Sequence, residues 1–323
     1  MTNILLTGAG FSRNWGGWLA TEAFEYLLGA PEVDDQLRGL LWQDNLSGDG
    51  FEDTLARLQL LNQTAPNETT TRLLNALTAA LVGMFNLMGL TFLRKTFEFQ
   101  TDRQYQVGQF LCRFDEIYTL NQDTLLEYHY HNDNIMLANP QRFSGFQLPG
   151  MRSAANQPIG GRPFERIGVR TAAPDAEFRI EPRSQPYFKL HGSANWNSDN
   201  GCILIMGGNK ATNIDTYPVL AWYHRHFKEQ LRRPGAKLMV IGYSFSDDHI
   251  NEAIIQGLAA GMKLFIIDPA GTDVLIKRNI LTPKPDVLMP MLTNIVGGSR
   301  RPLYETFNQD HVEHAKVLRF LAS

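Results

Sequence analysis

The sequence predicts an α/β fold: a parallel sheet with helices on both faces, extended by a helical insertion and by an irregular, arginine-rich insertion. Three observations predict it. Short continuous apolar runs recur along the chain, at Ile4-Leu5-Leu6, Ile117-Tyr118, Tyr187-Phe188, Leu238–Ile241 and Leu264–Ile267, as strands covered on both faces require. Each run stops on small or polar residues, and several are followed by helical periodicity. From 33 to 109 the pattern is helical throughout, with Leu, Ala and Met at three- and four-residue spacing. At 323 residues the chain is long enough for about two units. We expect a sheet domain from residues 1–32 and 110–323, with 33–109 as a helical insertion domain.

The first run breaks straight into Gly8-Ala9-Gly10-Phe11-Ser12, a strand, turn and helix start. Gly8 and Gly10 allow a sharp turn and a close approach to a diphosphate, whose charge would face the N–H groups opening the helix. A dinucleotide fingerprint of the dehydrogenase kind needs a third small residue, and Arg13 stands there. Trp15 to Leu28 reads as continuing helix, ended by Gly29 and Pro31. Within the helical stretch, Asp44 to Gly50 reads as a surface turn. Leu73 to Leu93 carries no charge for 21 residues, the length of a membrane span, but Asn75, Thr78, Gly83, Asn86, Gly89 and Thr91 interrupt it. A buried or subunit-facing helix is the better reading.

Phe114 to Leu120 restores the strand signal and stops at Asn121-Gln122-Asp123-Thr124, which caps a helix through Leu125, Leu126 and Glu127. Asn139 to Pro186 turns irregular and holds seven arginines, Arg142, Arg152, Arg162, Arg166, Arg170, Arg179 and Arg183. It reads first as a solvated excursion, with contact to nucleic acid or an acidic partner as the alternative. Tyr187–Leu190 is a strand ending on His191-Gly192-Ser193, and Gly201–Met206, with its Gly207-Gly208-Asn209 turn, reads as a small hairpin. Pro218 to Arg233 is a helix opened by proline. Lys237–Ile241 is the clearest buried strand; it runs into Gly242-Tyr243-Ser244, with Asp247 or Asp248 capping the helix from His249. Lys263–Ile267 ends on Asp268-Pro269, and His311 to Leu321 forms a last helix.

Composition removes several classes of function. Hydrophobic content of 43% and aromatic content of 11% argue for a packed core and against disorder. A net charge of −3 gives no global attraction to nucleic acid or anionic lipid. Two cysteines, Cys112 and Cys202, supply neither a four-thiolate zinc site nor a disulfide framework. With no leader-like segment before the first strand, a reduced, cytoplasmic protein is expected. His224-x-His226 and His129-x-His131 have a spacing that does not share a helix face, so no metal site is expected from either pair. Ser12 has no His/Asp spacing to make it a nucleophile.

Five strand ends, Gly8-Ala9-Gly10, Asn121-Gln122-Asp123, His191-Gly192, Gly242-Tyr243-Ser244 and Asp268, share one edge in a parallel sheet, where open α/β sheets bind ligands. In this order the motifs resemble those of sirtuin-like (Sir2-like) NAD-binding domains. Gly8–Ser12 is similar to their opening Gly-Ala-Gly-x-Ser, Thr119–Asp123 to their Thr-Gln-Asn-Ile-Asp, Leu190-His191-Gly192 to the segment bearing their catalytic histidine, and Gly242-Tyr243-Ser244 to their Gly-Thr-Ser turn. The resemblance spans residues 3 to 270 and implies a Rossmann-like sheet that uses NAD as substrate. Deacylating relatives carry a four-cysteine zinc module between the histidine and the Gly-Thr-Ser turn; here that interval holds only Cys202, so no zinc is expected. What remains resembles bacterial branches that cleave NAD in antiviral defence.

The resemblance therefore implies an NAD hydrolase (NAD glycohydrolase) producing nicotinamide and ADP-ribose, acting in anti-phage defence as a regulated homo-oligomer. The alternative is a non-catalytic NAD- or ADP-ribose-binding subunit of a complex with a DNA-acting ATPase or nuclease; protein deacylation is weaker. Catalytic candidates are Asn121, to orient water or ribose, and His191, to accept a proton near neutrality. Gly8, Ala9, Gly10, Phe11, Ser12, Asp123, Gly242, Tyr243, Ser244 and Asp268 are the cofactor-binding candidates. No membrane contact is expected.

Overall fold

The computed structural model describes residues 1–48, 50–131, 141–153, 169–198, 201–207, 210–278, 280 and 291–322. Arg162 and Arg166 of the arginine-rich stretch, and Gly208 and Asn209 of the expected hairpin turn, lie outside the described residues. The strands are β1 (Thr2–Thr7), β2 (Glu116–Thr119), β3 (Gly145–Gln147), β4 (Met151–Ser153), β5 (Arg170–Ala172), β6 (Ser184–Lys189), β7 (Gly192–Ser198), β8 (Gly201–Leu204), β9 (Ala236–Ile241), β10 (Lys263–Ile267) and β11 (Ile295–Ser299). Seven of them form one sheet in the order β11-β10-β9-β1-β2-β6-β3, and every pairing in it is parallel. The apolar runs explain its centre: Ile4, Leu5, Leu6, Leu238, Met239 and Val240 are fully buried, as strands covered on both faces must be.

From β1 the chain winds outward through β2 and β6, then returns to the other side of β1 and winds outward again through β9, β10 and β11. The direction reverses between β1 and β9, which makes their carboxyl ends the switch point where doubly wound sheets open a crevice. A second sheet, β4-β5-β7-β8, lies beside it; its antiparallel β7–β8 pair joins Gly201–Leu204 to the strand before it, whereas the sequence placed the hairpin's turn after it, at Gly207-Gly208-Asn209. Within the described parts of the arginine-rich stretch, β3 adds an edge strand to the main sheet, and β4 and β5 enter the second sheet.

The flanking helices are α1 (Ala9–Arg13), α2 (Ala20–Leu28), α3 (Asp35–Ser47), α4 (Phe51–Thr64), α5 (Glu68–Phe92), α6 (Val107–Leu111), α7 (Lys210–Asp215), α8 (Pro218–Leu231), α9 (Asp248–Ala259), α10 (Asp273–Lys277), α11 (Leu303–Thr306) and α12 (His311–Ala322). Local signals set the ends of the helices α3 to α5. Asp34 caps α3 by accepting from Leu37 N at 2.9 Å, and Asn67 caps α5 by accepting from Thr70 N at 2.9 Å. Helix α5 is long and apolar enough to cross a membrane on length and composition. Its stripe Leu73, Leu77, Leu81, Met84 and Met88 is buried in the same apolar cluster as the sheet, whereas Leu87 and Leu90 are exposed.

Two expected helices differ. After Arg13 the chain turns instead of continuing as helix: Gly16 adopts φ +88°, and Gly17 N donates to Ser12 O at 2.9 Å. The glycine pair permits this, and Trp15 is thereby set against Phe97 and Phe99, its indole N–H donating to Phe97 O at 2.9 Å. Beyond Thr124, only a short helical start leads into a π-helical segment, Glu127–His131.

Candidate active site at the carboxyl edge of the sheet

The turn after β1 and the turn after β9 touch. Gly10 N donates to Gly242 O at 2.9 Å, and Gly8 N to Ile241 O at 3.0 Å. A Cβ on Gly242, whose φ is +62°, would stand 2.3 Å from Gly10 C, and one on Gly10 would stand 2.7 Å from Gly242 Cα. Glycine is thus required here by the approach of one backbone to another, whatever binds above. Gly8, Gly10 and Phe11 spend their N–H groups inside the protein, the last on Gly8 O at 2.9 Å. The expected row of unpaired amides facing a diphosphate is accordingly shortened.

Around this contact opens a cavity of about 1910 Å³. That exceeds the ~300–1,000 Å³ of an ordinary small-molecule pocket and suits an extended ligand. Gly8, Ala9, Gly10, Asn121, His191, Gly242, Tyr243, Ser244 and Asp268 all line it. Phe11, Ser12 and Asp123 stand behind its wall. The Phe11 ring is core, packed on Trp15 at 5.2 Å between centroids. Tyr243 offers backbone to the cavity, while its hydroxyl donates to Asn251 Oδ1 at 3.0 Å and accepts from Asp247 N at 3.0 Å. Asp268, at the end of β10, accepts from Ala270 N at 2.7 Å, and burial raises the pKa of its carboxyl.

Asn121 is held by its amide. Nδ2 donates to Gly8 O and to Ser12 Oγ, both at 3.0 Å, and the Ser12 hydroxyl in turn donates to Asp123 Oδ2 at 2.7 Å. Because Gly8 O only accepts, the amide orientation is fixed, and Oδ1 is the acceptor it offers. Asp123 also takes Leu125 N at 3.0 Å, so the cap expected of it and its support of the site coexist. Beneath this loop a buried ammonium anchors it: Lys189 Nζ donates to the Asp123 carbonyl and pairs with Glu127 Oε1 at 2.9 Å.

His191, buried at the end of β6, meets His249 at Nε2–Nε2 3.2 Å. His224 of α8 stacks beside both rings and donates from Nε2 to Leu190 O at 2.8 Å. We expected His191 to titrate near neutrality. Instead burial, followed by the charges of Lys210, His224 and His249, holds its pKa well below the usual histidine value. It is a neutral ring at pH 7. Next to it, Lys210 bridges Asp247 and Glu52, at 2.7 Å to each. Burial opposes that charge, but Glu52 and Asp247 outweigh it and raise the lysine's pKa. Asp247 occupies the N-cap position of α9 as expected, yet its carboxylate serves Lys210 rather than the helix amides.

Sequence reasoning missed His224, His249, Lys210, Lys189 and Glu52 as members of this region. Glu52 arrives from the first turn of α4 and His224 from mid-helix, and no strand-end signal marks either. It also missed the cations on the cavity rim, Lys277, Arg278, Arg300 and Arg301, which join Arg13 there. Arg300 and Arg301 directly follow β11, a strand the sequence did not announce.

Comparison with known proteins supplies a family. A sequence model described as the SIR2-like domain matches residues 115–281. No curated protein sequence matches the chain. Among solved structures, the crystal structure of a Sir2 homolog–NAD complex aligns over 99% of this chain and 90% of that one, at 13% identity and a TM-score of 0.39, too distant to carry residue roles across.

Proposed function

The chain belongs to the SIR2-like domain family, and from that premise we propose that it binds NAD across the carboxyl edge of its sheet and hydrolyses it to nicotinamide and ADP-ribose. The observation that carries the reading is the Asn121 amide, pinned through both of its N–H bonds at the wall of a cavity that it lines together with His191. Cleavage of the nicotinamide–ribose bond passes through an oxocarbenium-like state. In the proposed reaction Asn121 Oδ1 orients the attacking water or a ribose hydroxyl, the water oxygen bonds to the anomeric carbon, and nicotinamide leaves with the electrons of the broken C–N bond. The water's proton passes to neutral His191. Ser12 and Asp123 act through Asn121. The rim arginines and lysines face the diphosphate, and Asp268 takes the adenosine ribose.

Supporting this over deacylation is the thiol count, since Cys112 and Cys202 are the chain's only cysteines. Within the proposal the enzyme is a cytoplasmic effector of bacterial anti-phage defence that depletes NAD once assembly or a partner ATPase or nuclease releases it. Exposed Trp42, Leu46, Leu60, Leu61, Leu87 and Leu90 on the insertion helices favour self-assembly. One observation favours the rival, an NAD-binding subunit without turnover: His191 Nε2 is already engaged by His249. Chromatography of the products separates these readings. Nicotinamide with ADP-ribose supports hydrolysis, calorimetric binding without product supports the subunit, and acyl-ADP-ribose from an acylated peptide supports deacylation.

A further inference from the structure

His191, His224 and His249 come from three elements, the end of β6, the middle of α8 and the first turn of α9, and converge at one point. One nitrogen from each ring lies within 4.8 Å of the others. The closest pair, His191 Nε2 and His249 Nε2, is 3.2 Å apart. Two ligands on a tetrahedral zinc with bonds of ~2.0 Å are separated by ~3.3 Å. His224 is oriented as a metal-binding histidine is: its Nε2–H points at Leu190 O, 2.8 Å away, which leaves the lone pair on Nδ1. His191 and His249 both face the cavity, so a fourth position opens toward it.

We propose that this trio binds one divalent transition-metal ion of the zinc type, through one nitrogen of each ring, with the fourth position left to water or ligand. The charged groups around it permit a dication. Lys210 and Lys228 are the cations that act on these rings and Asp247 and Asp248 the anions, and Glu52 pairs with Lys210 beside Asp247, so the five together carry a net negative charge. This site owes nothing to thiolates. An ion there occupies the nitrogen through which His191 would accept a proton, so a filled site switches hydrolysis off; that consequence rests on the NAD-cleaving reading.

The test is a cobalt titration of the full-length protein after chelation and dialysis. One equivalent should be taken up, with the visible ligand-field bands of a four- or five-coordinate ion, and zinc should displace it. His224→Ala and His249→Ala should each weaken uptake at least as much as the ~10–100-fold lost when an outer-shell partner is removed. His226→Ala, on the same helix but facing Glu116 at 3.2 Å, should bind as wild type. His249→Cys should keep the ion and add a thiolate-to-cobalt charge-transfer band, which does not depend on a ligand-deleted variant folding. No uptake by wild type, or a cobalt spectrum unchanged in His249→Cys, would overturn the site and leave the trio a hydrogen-bonded imidazole cluster. Zinc should suppress nicotinamide release and chelation restore it. Undiminished release from a loaded site overturns the off-switch, whereas metal-free protein that binds cobalt but never releases nicotinamide overturns the hydrolase reading and leaves the site standing.

Discussion

Replacing Lys189 by methionine removes the ammonium that pairs with Glu127 in a place with almost no water: the lysine side chain is 0% exposed and the glutamate 5%. Breaking a buried pair from one side costs ~3–5 kcal/mol, because the remaining charge is stranded. Glu127 can escape by protonating. Burial already raises its pKa above the ordinary value of 4.5, with Lys189 pulling the other way. Holding it neutral at pH 7 costs roughly 3.4 kcal/mol, at about 1.36 kcal/mol for each of the 2.5 pH units above 4.5, which caps this part of the loss. The orphaned Asp123 carbonyl adds ~1–3 kcal/mol. In the variant the folded-state pKa of Glu127 rises above its unfolded value, so the deficit grows as pH rises above 4.5. It should be ~3–5 kcal/mol at pH 7 and smaller at pH 5. Urea unfolding followed by tryptophan fluorescence at both pH values measures it. Adding Glu127→Gln to Lys189→Met should remove the pH dependence. A deficit under about 1 kcal/mol at pH 7, or one equal at both pH values, would refute the buried-pair reasoning.

Other perturbations probe the rest of the site. Ser12→Ala removes the hydroxyl that accepts from Asn121 and donates to Asp123, so the amide can turn; kcat should fall by about 100-fold with little change in KM, as steady-state nicotinamide release reads directly. Gly242→Ala drives a Cβ to within 2.3 Å of Gly10 backbone at a positive φ, and should lower stability by ~2–4 kcal/mol in thermal melts. His131 and His224, both pushed down to about 3, take up protons in the unfolded chain from about pH 6.5 downward but not in the folded one. Their contribution is whole above pH 6.5 and is lost as pH falls toward 3, by up to about 4 kcal/mol for the two together between pH 6.5 and 5. His131→Phe, at a buried ring packed against Phe146 and Tyr187, should flatten that slope in urea midpoints measured across the range.

The centre of the sheet was legible because β1, β9 and β10 are continuous apolar runs that nothing but burial on both faces explains. β11 was not, since Ile295-Val296-Gly297-Gly298-Ser299 is an edge strand with two glycines; Gly297 lies under the Phe265 ring, where a Cβ would come within 2.7 Å. Strands β3, β4 and β5 are three residues each, too short for any period to register. Asn121 and His191 were legible as polar residues ending apolar runs. The imidazole trio was not, because its members meet only through the packing of α8 and α9 on the sheet. The His224-x-His226 spacing argued correctly that these two part company: His226 turns to Glu116 and His224 to Leu190. It gave no sign that His224 would find other partners. Gly8 and Gly10 were read for a ligand, and the structure shows an additional reason for them in the contact with Gly242.

The most direct test of the central claim is nicotinamide release from NAD by metal-free wild type beside Asn121→Ala and His191→Ala, each shown to be folded by circular dichroism. The account predicts turnover by wild type and a loss of about 100-fold or more in each variant, the scale on which a positioned acid–base group acts. Equal release by all three, or none from wild type at any protein concentration, would contradict it.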